Sequence, residues 1–510
     1  MRTVFRGGDV LVPGADGSST SQRADLLVDG QTIATIGAVP LDVAVDETVD
    51  ATGHVLIPGL VNGHLHSWEA LFRGRYPCLP LEVWGLYAYP LIAEYTVSPR
   101  LAYLRTASVA AESLLNGVTT VLDDVYETRV DGYTHLSAVF DAYRDVGIRA
   151  NCSSRLFDRR YLDAIPYLNE YLEPSDLQEL TALGTRGTKH YIGLCEQALS
   201  EFHGSASGRL RYVLAPSGPQ RCTPELIRTS VELAAQHDSV VHIHVLETKM
   251  QALSGPELLG MSMLVYLDGM GALSERTTIA HGVWLSDHEI DLVAERGVTV
   301  VHNPVSNLKL GSGIAPLAAY RQRGVPIALG TDGISSNDSA RMFEVMKLAA
   351  LLPTMAETDY QRWPTADYAF HAATHGGARS LGLADRIGTL APGMCADIVM
   401  IDTRTSSFTP LNDVIRQLVF AENGSSVRHV MVDGEMVVRG GVVQTIDQHA
   451  VLDELRTLAT DFIAQHAQVE QTMARFEPAI AQVYERVMAT PWPEHRRLPN
   501  GAGPLITESR

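Results

Sequence analysis

Little in this chain supports a secreted, membrane-embedded or nucleic-acid-bound protein. Its five cysteines (Cys78, Cys152, Cys195, Cys222 and Cys395) are scattered and odd in number. No CxxC pair occurs, so neither a disulfide framework nor a thiolate metal site is expected, and a reducing compartment fits. No apolar run approaches the roughly 20 residues of a membrane helix. The opening MRTVFRGGDVLVPGADG has no long apolar core, so no export signal is expected and the cytosol is the expected location. The net charge is −19 and no basic cluster breaks it; Arg155 to Arg160 holds three Arg, interrupted by Asp158. Phosphate backbones are held by concentrated Lys and Arg, so nucleic acid is excluded as a routine partner. A glycine-rich GxGxxG after a first strand, the protease pattern HExxH and the nucleobase-deaminase pattern HxE with PCxxC are all missing as well.

What is present reads as α/β. Across 510 residues, short apolar strands alternate with helical patterns, which predicts parallel strands joined by helices. Eight strands are expected: HVLIPGLVN leading into His64, TTVLDD near Leu122, IRANCS near Ala150, RYVLAP near Val213, SVVHIHVLE near Ile243, TTIAH ending at His281, VTVVHN ending at His302, and PIALGTD ending at Asp332. Helix signals separate them. Leu101 to Leu115 has the helical period and stops at Asn116-Gly117, and Thr223-Pro224-Glu225 opens another helix with Thr as cap. Eight strand–helix units predict a closed (β/α)8 TIM-like barrel over 58–385.

Two β-rich pieces flank this unit. LLVDGQTIATIG near the start and VMVDGEMVVRGG late in the chain are alike, each a hairpin turning at Asp-Gly. One small β-sandwich domain is therefore expected from both ends, 1–57 and 386–447. The remainder, 448–510, reads as a helical extension with Val451, Leu455, Leu458 and Phe462 at helical spacing, then a polar tail. A peripheral or subunit-packing helix is expected there, and a homodimer or larger assembly for the protein.

Polar residues cluster at the ends of expected barrel strands, where barrel enzymes place their sites. His64 and His66 are two apart on an extended segment, so both imidazoles face one side and can reach one ion. His242 and His244 repeat that spacing, and Glu247 follows at a strand end, placed to move protons without binding the metal. His281 and Asp332 each end an apolar strand, where an unpartnered polar group is costly. Imidazoles with one carboxylate suit zinc or ferrous iron.

PGLVNGHLH, HIHVLET, the isolated AHG, HNPVSNLKLGSG and GTDGISSNDS occur in that order. Over about residues 1 to 445 the chain resembles the amidohydrolase superfamily, in the branch of cytosine-deaminase-like, adenosine and S-adenosylhomocysteine deaminase-like and triazine-hydrolase-like proteins (atrazine chlorohydrolase, melamine deaminase). The resemblance implies that His64, His66, His244 and Asp332 bind one metal ion, that His281 holds the attacking water and that Glu247 shuttles protons. It implies one ion rather than two, because RYVLAPSGP ends strand four without the lysine that two-metal members carboxylate. The implied cofactor is one Zn²⁺ per chain, with Fe²⁺ the other option. The implied reaction is hydrolytic release of ammonia from an aminated nitrogen heterocycle of purine, pterin, pyrimidine or triazine type. Displacement of chloride, alkylamine or thioether from a heteroaromatic ring is the alternative, and a non-catalytic assembly protein is opposed by the complete ligand set.

For substrate contacts the sequence offers Trp84 and the neighbouring Tyr87 and Tyr89, Glu94, Arg155 past strand three, and His302, Asn303 and Ser306 in the loop after strand seven. Nucleoside deaminases of this branch carry a histidine after strand four. Ala215-Pro216-Ser217-Gly218-Pro219 has none, which favours a compact ring over a nucleoside.

Overall fold

The computed structural model describes residues 1–13, 19–90, 97–126, 132–160 and 162–497. Eight parallel barrel strands run in chain order: Leu60–His66, Val118–Val125, Arg149–Leu156, Leu210–Tyr212 with Ala215–Pro216, Val241–Val245, Thr277–His281, Thr299–His302, and Ile327–Leu329 with Asp332–Gly333. Nearly every residue in them is buried, as parallel strands covered on both faces require. Strands four and five meet through the Leu214–Val241 bridge, and strand eight closes on strand one. That closing register sets Asp332 beside Leu65 and Gly333 beside His66, bringing the last strand's carboxylate to the first strand's histidines.

The expected first strand is in fact two. His54–Pro58 pairs with Ile398–Asp402 and Arg2–Pro13 in the flanking domain, and the barrel strand begins at Leu60. The switch falls on Gly59, whose N–H bonds the Asp397 carbonyl before Leu60 bonds the Gly117 carbonyl. A Cβ at Gly59 would lie 2.0 Å from Thr119 Oγ1, so only glycine fits the crossing.

Nine strands from both ends form the β-sandwich domain's sheet. Phe5, Val10, Leu26, Ile398, Met400 and Met431 share its apolar cluster. The two similar hairpins turn at Asp29-Gly30 and Asp433-Gly434 and touch each other through Gln31 Nε2 and Asp433 Oδ2 at 2.8 Å. Arg149, at the start of barrel strand three, ties this domain to the barrel. Its guanidinium forks onto Asp397 at 3.0 and 3.0 Å and reaches Asp433 at 3.1 Å, all three residues being buried. Removing one partner of a buried ion cluster strands the rest. Arg149→Met, which keeps the stem's packing, is expected to destabilise the fold by about 3–5 kcal/mol, read as a fall in denaturation midpoint.

The helices start where local chemistry dictates. Ser98 caps Pro99–Leu115 by accepting the Leu101 N–H at 3.1 Å, and Thr223 caps Pro224–Gln236 by accepting that of Leu226 at 3.3 Å. The extension forms Gln448–Met473 and Glu477–Ala489. The first of them packs one narrow face inward and leaves most of its residues exposed. Phe462, Val469, Met473, Ile480 and Val483 share an apolar cluster with Trp68, Phe72 and Trp84, on the strand-one side of the barrel mouth. Of the spaced apolar residues, Val451 and Phe462 are buried, whereas Leu458 is exposed. Polar contacts fix the docking: Tyr76 Oη lies 2.9 Å from His466 Nε2, Arg75 forks onto Glu470 at 2.6 and 2.8 Å, and Tyr87 donates to Glu477. The chain then returns toward the mouth, where Arg496 Nε donates to the Val283 carbonyl at 3.0 Å. No helix among the described residues is long and apolar enough to cross a membrane.

Candidate active site

The carboxyl ends of the barrel strands carry a compact polar cluster. One ligating atom from each of His64, His66 and Asp332 lies within 4.8 Å of the others, and the same holds for His64, His244 and His281 and for Glu247, His281 and Asp332. His64 and His66 project from strand one with ring centroids 4.6 Å apart. His244 stands on strand five, 4.9 Å from the His64 ring centroid.

The orientation of these rings is set from behind. His66 Nδ1 lies 2.7 Å from the Asp124 carbonyl, which can only accept, so the proton is on Nδ1 and Nε2 presents a lone pair. His64 Nδ1 lies 2.8 Å from His242 Nε2, and His242 Nδ1 lies 2.6 Å from Thr278 Oγ1. His242 therefore serves as a support for His64. Burial lowers the His64 imidazole to about 4, which keeps it neutral. Its Nε2 is a buried atom without a hydrogen-bond partner. Both Nε2 atoms face Asp332 Oδ1 at 3.2 Å. The His64 Nε2 lone pair directed at a carboxylate oxygen is repelled unless a cation lies between them, and this donor set is one that zinc accepts. The residues present fit a metal ion.

Backbone conformation aims the chemistry. Leu246, His281 and Asp332 adopt left-handed φ values of 54°, 74° and 63° at the ends of strands five, six and eight. Such conformations cost about 1–3 kcal/mol each outside glycine and cluster where a side chain must be redirected. His281 Nδ1 lies 2.9 Å from Asn307 Oδ1, which places the proton on Nδ1. Its Nε2 faces Glu247 Oε2 at 3.6 Å and Asp332 Oδ2 at 3.8 Å. Burial, together with the nearby Asp332 charge, pushes the Glu247 carboxyl well above the usual range. Burial alone would raise the Asp332 carboxyl, but the electrostatic influence of the surrounding imidazoles of His281, His64 and His66 outweighs it and holds the group well below its usual range.

A cavity of about 410 Å³ opens over this cluster, a size suited to one small ligand. Trp84 lines it from the helix Leu81–Ala88, and Tyr89 from just beyond that helix. Tyr87 instead turns to Glu477 on the extension. Arg155 lies in the wall, bracketed by Asp124 at 3.0 Å and the Tyr89 hydroxyl at 2.6 Å, with Nη2 3.0 Å from His66 Nε2. Where a histidine would follow strand four, Ser217 and Gln220 line the cavity. Glu94 lies outside the described residues.

The structure does not bring His302, Asn303 or Ser306 to the cavity wall. The chain enters the helix Pro304–Lys309 directly after strand seven, which turns these side chains inward. Ser306 Oγ donates to Asp332 Oδ2, Asn303 Nδ2 lies 3.4 Å from His281 Nδ1, and His302 is buried at the strand end. They stand behind the cluster. Sequence reasoning missed Asn307, which orients His281, and Glu82 and Gln251, which line the cavity. Asn307 had a signal, since it lies in the NPVSNLKLGSG run; Glu82 and Gln251 had none.

The family model described as "Amidohydrolase family" matches residues 55–437. The chain is similar to the 5'-deoxyadenosine deaminase of Methanothermobacter thermautotrophicus, 34% identical over 441 residues that cover 86% of this chain and 95% of that protein. It is also 34% identical to the 5-methylthioadenosine/S-adenosylhomocysteine deaminase of Desulforudis audaxviator, over 91% of this chain and 99% of that one. Among solved structures, an adenosine deaminase from Xanthomonas campestris with bound zinc superposes with TM-score 0.79 at 27% identity, covering 91% of this chain and 98% of that one. Atrazine chlorohydrolase from Arthrobacter aurescens complexed with zinc gives TM-score 0.78 at 25% identity, covering 90% and 100%.

Proposed function

The chain belongs to the amidohydrolase family, and from that premise we propose that it is a metal-dependent deaminase releasing ammonia from an amino-substituted nitrogen heterocycle. The observation that carries this reading is the buried Glu247 carboxyl lining the cavity, 3.6 Å from His281 Nε2 and beside a donor set suited to one divalent ion. Deaminases among the relatives, acting by their names on adenosine-type compounds, support it.

His64, His66, His244 and Asp332 would hold the ion, zinc in this proposal, since structures similar to this one contain zinc. The ion supplies Lewis-acid activation of water, bringing its pKa toward neutrality. The residues of the chain do the rest. Asp332 and the Nε2 lone pair of His281 orient the attacking water and take its proton. Glu247 gives its proton to the ring nitrogen beside the amino-bearing carbon, which makes that carbon more electrophilic. Water oxygen adds there, giving a tetrahedral carbon. The proton taken from water passes to the exocyclic nitrogen, which leaves as ammonia, and the remaining hydroxyl proton returns to Glu247, so that the ring keeps a carbonyl beside its protonated nitrogen. Trp84 offers a flat face to the ring, and Arg155 a fixed positive charge beside it. We place Ser306 as a support for Asp332, with Asn303 packed beside the His281 ring.

Cytosolic location and assembly as a homodimer or larger belong to the same proposal; all five cysteines are unpaired, as a reducing compartment would leave them. Zinc-loaded protein incubated with aminated purines, pterins, pyrimidines and triazines is expected to release ammonia stoichiometrically with loss of one ring. Chloride or alkylamine release from a substituted triazine, without ammonia from any ring, would favour the second reading. That reading is supported by the likeness to atrazine chlorohydrolase.

A further inference from the structure

We infer that Glu82 and Gln251 form a second recognition edge, which selects rings carrying an amidine or lactam edge in addition to the amino group that is lost. The inference rests on the deaminase reading for the class of ring, and it concerns residues outside the ligand set and the proton-transfer groups.

Glu82 lies in the first turn of the helix Leu81–Ala88, is only 8% exposed and lines the cavity. Its Oε1 accepts the Thr248 hydroxyl at 2.7 Å. Among the described residues no cation forms a salt bridge with it, and the Arg497 charge acts on it only weakly against burial. A carboxyl taken out of water without a bonded counter-charge is expensive, and such groups persist where a ligand completes them. Burial raises its pKa, and as acid or as carboxylate it keeps acceptor capacity toward the cavity.

Gln251 lies beside it. Thr248 caps the helix Lys249–Ser254, so the hydroxyl that donates to Glu82 also accepts the Gln251 N–H at 3.3 Å. The Gln251 side chain folds back, and its Oε1 accepts the Glu247 N–H at 2.9 Å. That bond settles the amide orientation, because a backbone N–H needs an acceptor. The Nε2 group is left with two donors, no partner among the described residues, and a place in the cavity wall. The wall therefore presents an acceptor, Glu82, next to a donor, Gln251. The backbone of Glu247 anchors the second of them.

An acceptor beside a donor matches a ring edge that offers N–H next to a carbonyl oxygen or ring nitrogen. A lactam edge and an H₂N–C=N edge both do so. A ring without such an edge leaves both side chains desolvated and unpaired, and sites built to hydrogen-bond a polar group reject analogues that lack it. The ring would then lie with one edge at Glu247 and another at this pair, with Trp84 across its face.

The test uses matched compounds, 4-aminopyrimidine against 2,4-diaminopyrimidine and 2-amino-1,3,5-triazine against 2,4,6-triamino-1,3,5-triazine. Dissociation constants are measured by calorimetry on zinc-loaded Glu247→Gln protein, so binding is read whether or not a ring is turned over. The compound with the extra edge is expected to bind at least tenfold more tightly in at least one pair. Adding Gln251→Glu, which keeps the acceptor for the Glu247 N–H and removes the donor, is expected to bring that ratio to about one, and Glu82→Gln to lower it several-fold, with zinc content of each variant unchanged. A structural role alone would weaken both members equally and keep the ratio. Equal binding of both members in each pair, a ratio preserved in both variants, or failure of every ring to bind overturns the inference. Selective binding with no ammonia release by the parent enzyme would sink the deaminase reading and leave the recognition edge standing.

Discussion

Glu247→Gln is expected to lower kcat for ammonia release by about 10²–10⁴-fold, with zinc content unchanged. Glutamine has the same shape and remains buried, but it carries no transferable proton. The position itself survives the change, since the backbone N–H of residue 247 stays bonded to Gln251 Oε1 at 2.9 Å and the preceding Leu246 keeps its left-handed φ of 54°. The effect should fall on kcat more than on KM, because proton donation develops in the transition state. Steady-state ammonia release alongside metal analysis of the same preparation checks it. Retention of kcat within about threefold would remove Glu247 from the proton path. The same variant separates the two leaving-group readings. Chloride leaves as an anion and needs no proton, so a triazine dechlorination would suffer a smaller loss than a deamination.

Asp332→Asn is expected to lower kcat/KM by about 10³-fold or more and to reduce bound zinc. Asparagine is the informative replacement because it tolerates the left-handed conformation that residue 332 adopts, φ 63°, so the backbone is not additionally strained. What is lost is charge. The neutral amide cannot balance a divalent ion held otherwise by three neutral imidazoles, nor take a proton from water. Ser306 can still bond the remaining carbonyl oxygen, which limits collapse of the strand end. Metal analysis, paired with activity in excess zinc, checks the result. Full activity once zinc is added in excess would confine Asp332 to metal affinity, and full zinc content without added metal would remove it from the ligand set. Dialysis of the parent protein against a chelator should abolish activity, and added Zn²⁺ should restore it.

The histidine pairs were legible because period-two alternation on a strand is a local property: His64 and His66 share a face whatever surrounds them. Hairpin turns at Asp29-Gly30 and Asp433-Gly434, the Thr223 cap and the helical extension were legible for the same reason. The order of strands and the polar residues at their ends then led to a barrel with a metal-binding mouth. The chain by itself determined this much, because each feature depends on residues within a turn or two of one another.

Tertiary structure decided what lies opposite what. HVLIPGLVN reads as one strand, yet it divides at Gly59, where pairing passes from the flanking sheet to the barrel and Thr119, sixty residues on, leaves no room for a side chain. His302, Asn303 and Ser306 follow a strand end like the other site residues, but the helix Pro304–Lys309 turns them behind the cluster. The extension docks beside the cavity through pairs such as Tyr76 with His466, nearly four hundred residues apart. Glu82 meets Thr248 across 166 residues. Such contacts are set by how closed strands and packed helices share one volume, and no local pattern carries that information.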